Sequence, residues 1–257
     1  MKHNTSFLFL RGLGRNQYHW GDQSAFRMAF GNQVYFLDQP GFGENINVRS
    51  PASVPAITDR LNEQWESLNV DKDSKKVLVG LSLGGMVSMD WVSRYPETWD
   101  YLILINSSVK DLSPFWQRLK MQNYISLIKI SMMSDPLERE EAVFDLTCNM
   151  SDKESTLNWW DEIYQKYPPD IVDITNQLYA ASKFKSPKSL PESLKTLVLT
   201  SKADRLVSYK CSVAISKKYN TDIRFHNQAG HDLVLDDLFW CVAQIKEWLN
   251  TQDDFNF

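Results

Sequence analysis

The chain has 257 residues, 43% of them hydrophobic, with a net charge of −4 and a pI near 5.6. That length suits one α/β domain carrying an insertion, and the acidic balance excludes a nucleic-acid surface. Three widely spaced cysteines, Cys148, Cys211 and Cys241, make neither a metal pattern nor a disulfide framework, which points to a reducing cytoplasm.

The first apolar run, Phe7-Leu8-Phe9-Leu10, is too short for a signal peptide or a membrane span. It reads as a buried strand that ends in the Gly-rich loop Arg11-Gly12-Leu13-Gly14-Arg15-Asn16. His19 and Trp20 then open a helix. A second strand over 33–37 ends in Asp38-Gln39-Pro40-Gly41-Phe42-Gly43, a turn that its proline and glycines demand. Residues 54–68 place Ile57, Leu61, Trp65 and Leu68 on one helical face. A third strand starts at Val77, meets Gly80-Leu81-Ser82-Leu83-Gly84, and passes into a helix ending near Tyr95-Pro96. Residues 101–105 form a fourth strand. This alternation predicts a mostly parallel sheet with helices on both faces and a ligand site beyond the carboxyl ends of the strands.

The rhythm breaks between about 110 and 195. Ser113-Pro114 starts a helix, Asp135-Pro136-Leu137-Glu138 and Ser151-Asp152-Lys153-Glu154 resemble capping boxes, and Pro168-Pro169 separates a third helix from a fourth. We read 110–195 as a four-helix cap inserted into a core made of 1–109 and 196–257. Packing against the core accounts for most of its aromatic band, including Trp160, Ile163 and Tyr164; an apolar pocket lining accounts for a few, with Trp159 the candidate. The rhythm resumes with a strand over 196–200, a helix over about 209–219, a strand over 221–226 and a closing helix up to Leu249. The tail, 251–257, is polar and expected to fray.

A Gly-x-Ser-x-Gly match alone arises by chance. Here a strand precedes it and a helix follows, the context that holds a serine hydroxyl clear of the sheet at a helix N-terminus. A serine hydroxyl is a poor nucleophile near neutral pH and needs a base to take its proton. Of four histidines, His3 is in the terminal tail, His226 lies within the last strand and His19 follows the first loop; His231 follows Gly230 directly after a strand. Its orienting acid is expected to be Asp204, after the preceding strand, because Asp232, Asp236 and Asp237 lie too near in sequence or on a solvated helix face. The order Ser82, Asp204, His231 is the one such an elbow requires. Two backbone N–H groups, of Leu13 and Leu83, are the expected oxyanion hole. His19 and Trp20 join Trp159 as candidate substrate contacts. No step of this chemistry calls for a metal or cofactor.

These residues resemble the α/β-hydrolases over essentially the whole chain. Leu10-Arg11-Gly12-Leu13-Gly14 is similar to the family's His-Gly oxyanion loop, Asp38 to Gly43 to its Asp-x-Pro-Gly-x-Gly turn, and Gly80 to Gly85 to its nucleophile elbow. Asp204-Arg205-Leu206-Val207 and Ala229-Gly230-His231 resemble its acid and histidine loops. The layout is similar to the pimeloyl-acyl-carrier-protein methyl ester esterases and related carboxylesterases. The resemblance implies an α/β-hydrolase fold with a helical cap and hydrolysis of a small-molecule carboxylic ester by a monomer or dimer. A thioesterase, a carbon–carbon-bond hydrolase, a peptidase of small substrates or a perhydrolase would use the same triad, and a non-catalytic binding protein would keep the same fold. Two positions depart from the pattern: Arg11 replaces the usual histidine, and Glu44 follows the Pro-Gly turn where serine is common. An acidic acyl-carrier substrate would want clustered Lys and Arg on the cap, where Glu138-Arg139-Glu140-Glu141 stands instead.

Overall fold

The computed structural model describes residues 4–31 and 33–252, apart from the Ser131 side chain. His3 and the last five residues of the expected tail lie outside that range. Six strands form one parallel sheet: β1 (Thr5–Leu10), β2 (Val34–Phe36), β3 (Lys75–Leu81), β4 (Tyr101–Ile105), β5 (Lys195–Ser201) and β6 (Asp222–His226). Their spatial order is β2-β1-β3-β4-β5-β6. Every pairing is parallel, with Leu10 opposite Gly80, Leu81 opposite Ile105 and Ser201 opposite His226.

Period-two alternation sends β1 to both faces. Phe7 and Phe9 pack on one side with Phe26 and Phe30 of α1 (Gln23–Phe30) and with Ile245 and Trp248 of α11 (Leu238–Asn250). Leu8 and Leu10 pack on the other, with Ile57 and Leu61 of α2 (Val54–Ser67) and Val87 and Trp91 of α3 (Leu83–Arg94). Ile215 of α9 (Lys210–Tyr219) completes that face. Each such side chain contributes roughly 1.5–3 kcal/mol by leaving water. The sheet and its helices therefore hold the fold, and the loops are free to carry chemistry.

The segment between β4 and β5 holds five helices among the described residues, where the capping signals predict four. They are α4 (Phe115–Arg118), α5 (Asn123–Met132), α6 (Pro136–Thr147), α7 (Lys153–Lys166) and α8 (Ile171–Lys183). The extra one arises because the first helix stops at Leu119, where the backbone turns extended. That break lets the Lys120 N–H bond the Leu206 carbonyl at 3.0 Å and the Asn123 amide bond the Arg205 carbonyl at 2.6 Å. α6 begins as expected, with Asp135 accepting from the Leu137 N–H and Pro136 in the first turn. α7 begins one residue later than predicted. Asp152 is its cap, because the Ser151 hydroxyl donates to Asp236 instead. His19 and Trp20 lie in a 3-10 turn, Gln17–Trp20, and α1 starts only after Gly21, whose φ of 89° ends that turn. A four-residue helix, α10 (Leu233–Asp236), precedes α11.

Candidate active site

The loops leaving β1, β3, β5 and β6 converge at the carboxyl edge of the sheet. Ser82 joins β3 to α3 with φ of 55° and ψ of −113°, a left-handed conformation that costs a non-glycine residue about 1–3 kcal/mol. The turn is held from three sides. The Ser82 N–H donates to the Ile105 carbonyl at 2.8 Å, and the Ser107 hydroxyl donates to the Ser82 carbonyl at 2.8 Å. A Cβ on Gly84 would lie 2.3 Å from the Leu10 carbonyl, so only glycine lets the first loop approach. The hydroxyl-bearing residue is half-buried.

Leu83 opens α3 immediately after Ser82, where a helix leaves N–H groups unsatisfied. Among the described residues, the N–H groups of Leu13 and Leu83 donate to no protein acceptor. The loop carrying Leu13 is clamped by two glutamines. Gln39 donates to the Arg11 carbonyl at 2.7 Å, Gln177 of α8 donates to Gln39 at 3.1 Å, and Gly14 donates its N–H to Gln177 at 2.8 Å.

His231 and Asp204 are both buried, and His231 Nδ1 lies 2.7 Å from Asp204 Oδ2. The second carboxylate oxygen accepts the N–H groups of Leu206 and Val207 at 2.8 and 2.9 Å. With Nδ1–H given to Asp204, Nε2 is left as the acceptor. Burial would lower the His231 pKa, but the charge of Asp204 and its hydrogen bond carry it above the ordinary 6.5; Asp232 adds to the rise and Arg11 opposes it. Among the described residues no hydrogen bond joins the Ser82 hydroxyl to His231. Such bonds are commonly long in unliganded proteins and tighten with substrate.

Asn106, invisible as a site residue in the sequence, ties these loops together. It has φ of 45°, and its amide donates to the carbonyls of His231 at 2.9 Å and Gly230 at 3.3 Å. Its oxygen accepts from the Ser201 N–H at 2.9 Å. The other carboxylates near His231 are engaged rather than solvated. Asp232 pairs with Arg11 in the interior. Asp236 accepts the N–H groups of Asn149, Met150, Ser151 and Gly230, joining α6–α7 to the histidine loop. Asp237 caps α11 and faces His226, which also accepts the Ala229 N–H at 2.8 Å.

The candidate substrate contacts are placed differently. Trp20 is 2% exposed, edge-on to Phe9 in the sheet core, with Arg11 4.8 Å above its ring. His19 is buried, with Nδ1 2.9 Å from Asn16 Oδ1 and 3.2 Å from the Asn16 backbone nitrogen, and Nε2 3.2 Å from Arg15 Nη1; burial, then Arg15 and Arg11, hold its pKa well below 6.5. Trp159 is half-buried and reaches the Gly21 turn, packing α7 on the core. A small cavity beside these residues is lined by Arg15, His19, Glu140, Trp160 and Tyr164. There Arg15 pairs with Glu140 at 2.6 Å and stacks 4.0 Å over Trp160. A larger cleft of about 450 Å³ opens at the opposite, amino end of β5 and β6, lined in part by Lys195, Asp222 and Trp248 and away from Ser82, Asp204 and His231.

The chain is 28% identical over 105 residues, 41% of its length, to a pimeloyl-[acyl-carrier protein] methyl ester esterase of Wigglesworthia glossinidia brevipalpis. That match spans only 37% of the relative. A thermophilic esterase from Thermogutta terrifontis superposes with a TM-score of 0.71 at 20% identity, covering 98% of this chain and 91% of that one. A 2-hydroxy-6-oxo-6-phenylhexa-2,4-dienoate hydrolase from a Rhodococcus strain does so with 0.71 at 17% identity, over 96% and 91%. At these identities the structural matches establish the fold alone. The model of the family described as serine aminopeptidase, S33, matches residues 8–237, and the chain therefore belongs to that family of α/β-hydrolases.

Proposed function

We propose that this hydrolase cleaves small-molecule carboxylic esters through an acyl-enzyme on Ser82. The observation that carries the reading is the buried His231–Asp204 pair at 2.7 Å, on loops that share the sheet edge with a strained Ser82. His231 Nε2 takes the Ser82 proton as Oγ attacks the ester carbonyl. Asp204 holds the ring's tautomer and stabilises the imidazolium. The Leu13 and Leu83 N–H groups receive the oxyanion; one such donor is worth about 3–4 kcal/mol of transition-state stabilisation. His231 returns the proton to the leaving alcohol, the carbon–oxygen bond breaks, and His231 then activates water to release the acid. Each step uses protein groups and, for deacylation, one water. Residues 110–195 act as a cap over this edge, fastened through Asp236, Lys120 and Asn123.

The test is fluorophosphonate labelling of wild type and Ser82→Ala, followed by nitrophenyl esters of increasing chain length. An aminoacyl nitroanilide belongs in the panel because the family is described by a peptidase. Labelling lost in the variant, with ester turnover by wild type, is expected. Folded wild type that neither labels nor turns over any ester overturns the reading, and nitroanilide turnover without ester turnover replaces it with peptidase chemistry.

A further inference from the structure

The junction between α6 and α7, residues 147–151, is bonded at every residue to the segments around Asp204 and His231. The Thr147 carbonyl accepts the Asp232 N–H at 2.8 Å, and the Cys148 carbonyl accepts from the Arg205 guanidinium. The Asn149 amide donates to the Gln228 carbonyl at 2.8 Å and to the Ala203 carbonyl at 3.2 Å. Met150 and Ser151 donate to Asp236. The approach is close: a Cβ on Gly230 would lie 2.3 Å from the Thr147 carbonyl oxygen.

Asp236 stands in the middle of this seam. Among the described residues its carboxylate accepts five hydrogen bonds, divided between its two oxygens. Oδ1 takes the N–H groups of Met150 and Ser151, each at 3.0 Å, and the Ser151 hydroxyl at 2.7 Å. Oδ2 takes the Asn149 N–H at 2.8 Å and the Gly230 N–H at 2.5 Å. One oxygen atom thus joins the cap to the residue before His231. A carboxylate suits all five donors because both of its oxygens accept; an asparagine would turn its NH₂ against one set and forfeit it. Bonds to an ionised acceptor are also about twice as strong as neutral ones. The proposed acyl-enzyme chemistry makes no use of this group.

We propose that Asp236 is a positioning residue for His231, and that through it the seated α6–α7 junction aligns the base. Gly230 is held at both ends: its N–H by Asp236 and its carbonyl by the Asn106 amide at 3.3 Å. Asn106 fastens the histidine loop to the sheet side, while Asp236 and the Thr147 carbonyl fasten it to the cap side. The ring must stay 2.7 Å from Asp204 to keep its tautomer, and a misplacement of about 1 Å can cost 10²-fold in rate. With the junction displaced, Ser82, Leu13 and Leu83 keep their places and His231 loses its alignment. The effect on rate rests on the Ser82 reading; the seating of His231 does not.

The experiment compares wild type, Asp236→Asn and Asn149→Ala, each checked for folding by its melting curve. One readout is kcat and KM on a short nitrophenyl ester. The other is the titration midpoint of the His231 ring, followed by nitrogen NMR of the full chain with labelled histidine and assigned by its loss in His231→Gln. Asp236→Asn should lower kcat about 100-fold with KM within about twofold of wild type. Asn149→Ala, exposed and within the cap, should lower kcat about fivefold. In both, the His231 midpoint should fall towards 6.5, because a looser contact with Asp204 gives up part of what raises it. An Asp236 that only holds the α6–α7 junction together would leave that midpoint alone. A folded Asp236→Asn with the wild-type midpoint therefore overturns the proposal whatever its kcat. So does an active enzyme whose kcat ignores both substitutions. If Asp236→Asn does not fold, Asn149→Ala decides by the same midpoint. A wild type that neither labels with fluorophosphonate nor hydrolyses any ester sinks the Ser82 reading alone, since the midpoint still reports how His231 is held.

Discussion

Arg11 and Asp232 form a two-pronged ion pair in the interior, with Nη1 3.0 Å from Oδ1 and Nη2 on Oδ2, at side-chain exposures of 3% and 5%. Arg11 lies in the oxyanion loop two residues before Leu13, and Asp232 directly follows His231. The pair therefore staples those two loops together across the sheet edge. Burial alone would raise the Asp232 carboxyl, but the Arg11 charge and hydrogen bonds hold it below the usual range.

Breaking this staple from one side should be costly. Asp232→Asn leaves a guanidinium buried without a counter-charge, and a loss of about 3–5 kcal/mol is expected in chemical denaturation. Arg11→Met combined with Asp232→Leu should recover most of it, because no charge is then left buried. The pH sense is fixed by the depressed carboxyl. Its contribution is complete above the unfolded pKa of about 3.9 and is lost as pH falls through the lower folded value. The gap between wild type and Asp232→Asn should accordingly close in strong acid. A gap that instead widens there would mean Asp232 is not held ionised by Arg11.

A second prediction concerns the rate profile. Because Asp204 raises the His231 pKa, the base becomes available only above the ordinary 6.5, and kcat/KM should rise through an inflection above that value. Asp204→Asn should lower the inflection and cost about 10⁴ in kcat by favouring the wrong tautomer. Asp232→Asn should lower it slightly and Arg11→Gln should raise it, since these two charges act on His231 with opposite signs. Stability runs the other way from activity. The raised pKa contributes fully below about 6.5 and is lost as pH rises through the folded value, so the melting temperature should fall where the rate climbs. An inflection unmoved by Asp204→Asn would detach Asp204 from His231.

The elbow offers a third test, of strain. Ser82→Ala should fold and lose about a millionfold in hydrolysis. Ser82→Gly should be equally inactive yet more stable than Ser82→Ala by about 1 kcal/mol, because glycine accepts a φ of 55° without penalty. Equal melting temperatures for the two variants would remove the argument that the turn stores strain.

How much of this was legible in the sequence follows from chain distance. β3, Ser82 and α3 are contiguous, so apolar patterning and glycine spacing declared them. Asp204 and His231 each follow a strand, which located them without any knowledge of their 2.7 Å contact. The split of α4 from α5 was hidden, because it depends on hydrogen bonds to residues 204–208, far along the chain. Asp236 resembles a solvated helix residue in the sequence for the same reason: three of its N–H donors, Asn149, Met150 and Ser151, sit 85–87 positions earlier. Charge alone could not reveal that Arg11 would bury itself against Asp232, 221 residues away.

Asn106 is the last such residue and the sharpest to test. Its amide is the donor to two carbonyls of the histidine loop, and its positive φ already disfavours most side chains. Asn106→Asp preserves shape but turns that donor into a charged acceptor facing the carbonyls of Gly230 and His231. Buried polar groups left unsatisfied cost about 1–3 kcal/mol each, so a loss of at least about 2 kcal/mol is expected. The chemistry should suffer in its own way. With His231 no longer held, kcat should fall while KM for a short ester stays close to wild type, because Ser82, Leu13 and Leu83 are untouched. Asn106→Gly removes the strain along with the hydrogen bonds, so it should lose less stability than Asn106→Asp while sharing the fall in kcat. A fully active Asn106→Gly would mean that the histidine loop is positioned by Asp236 and the Arg11–Asp232 staple without help from Asn106.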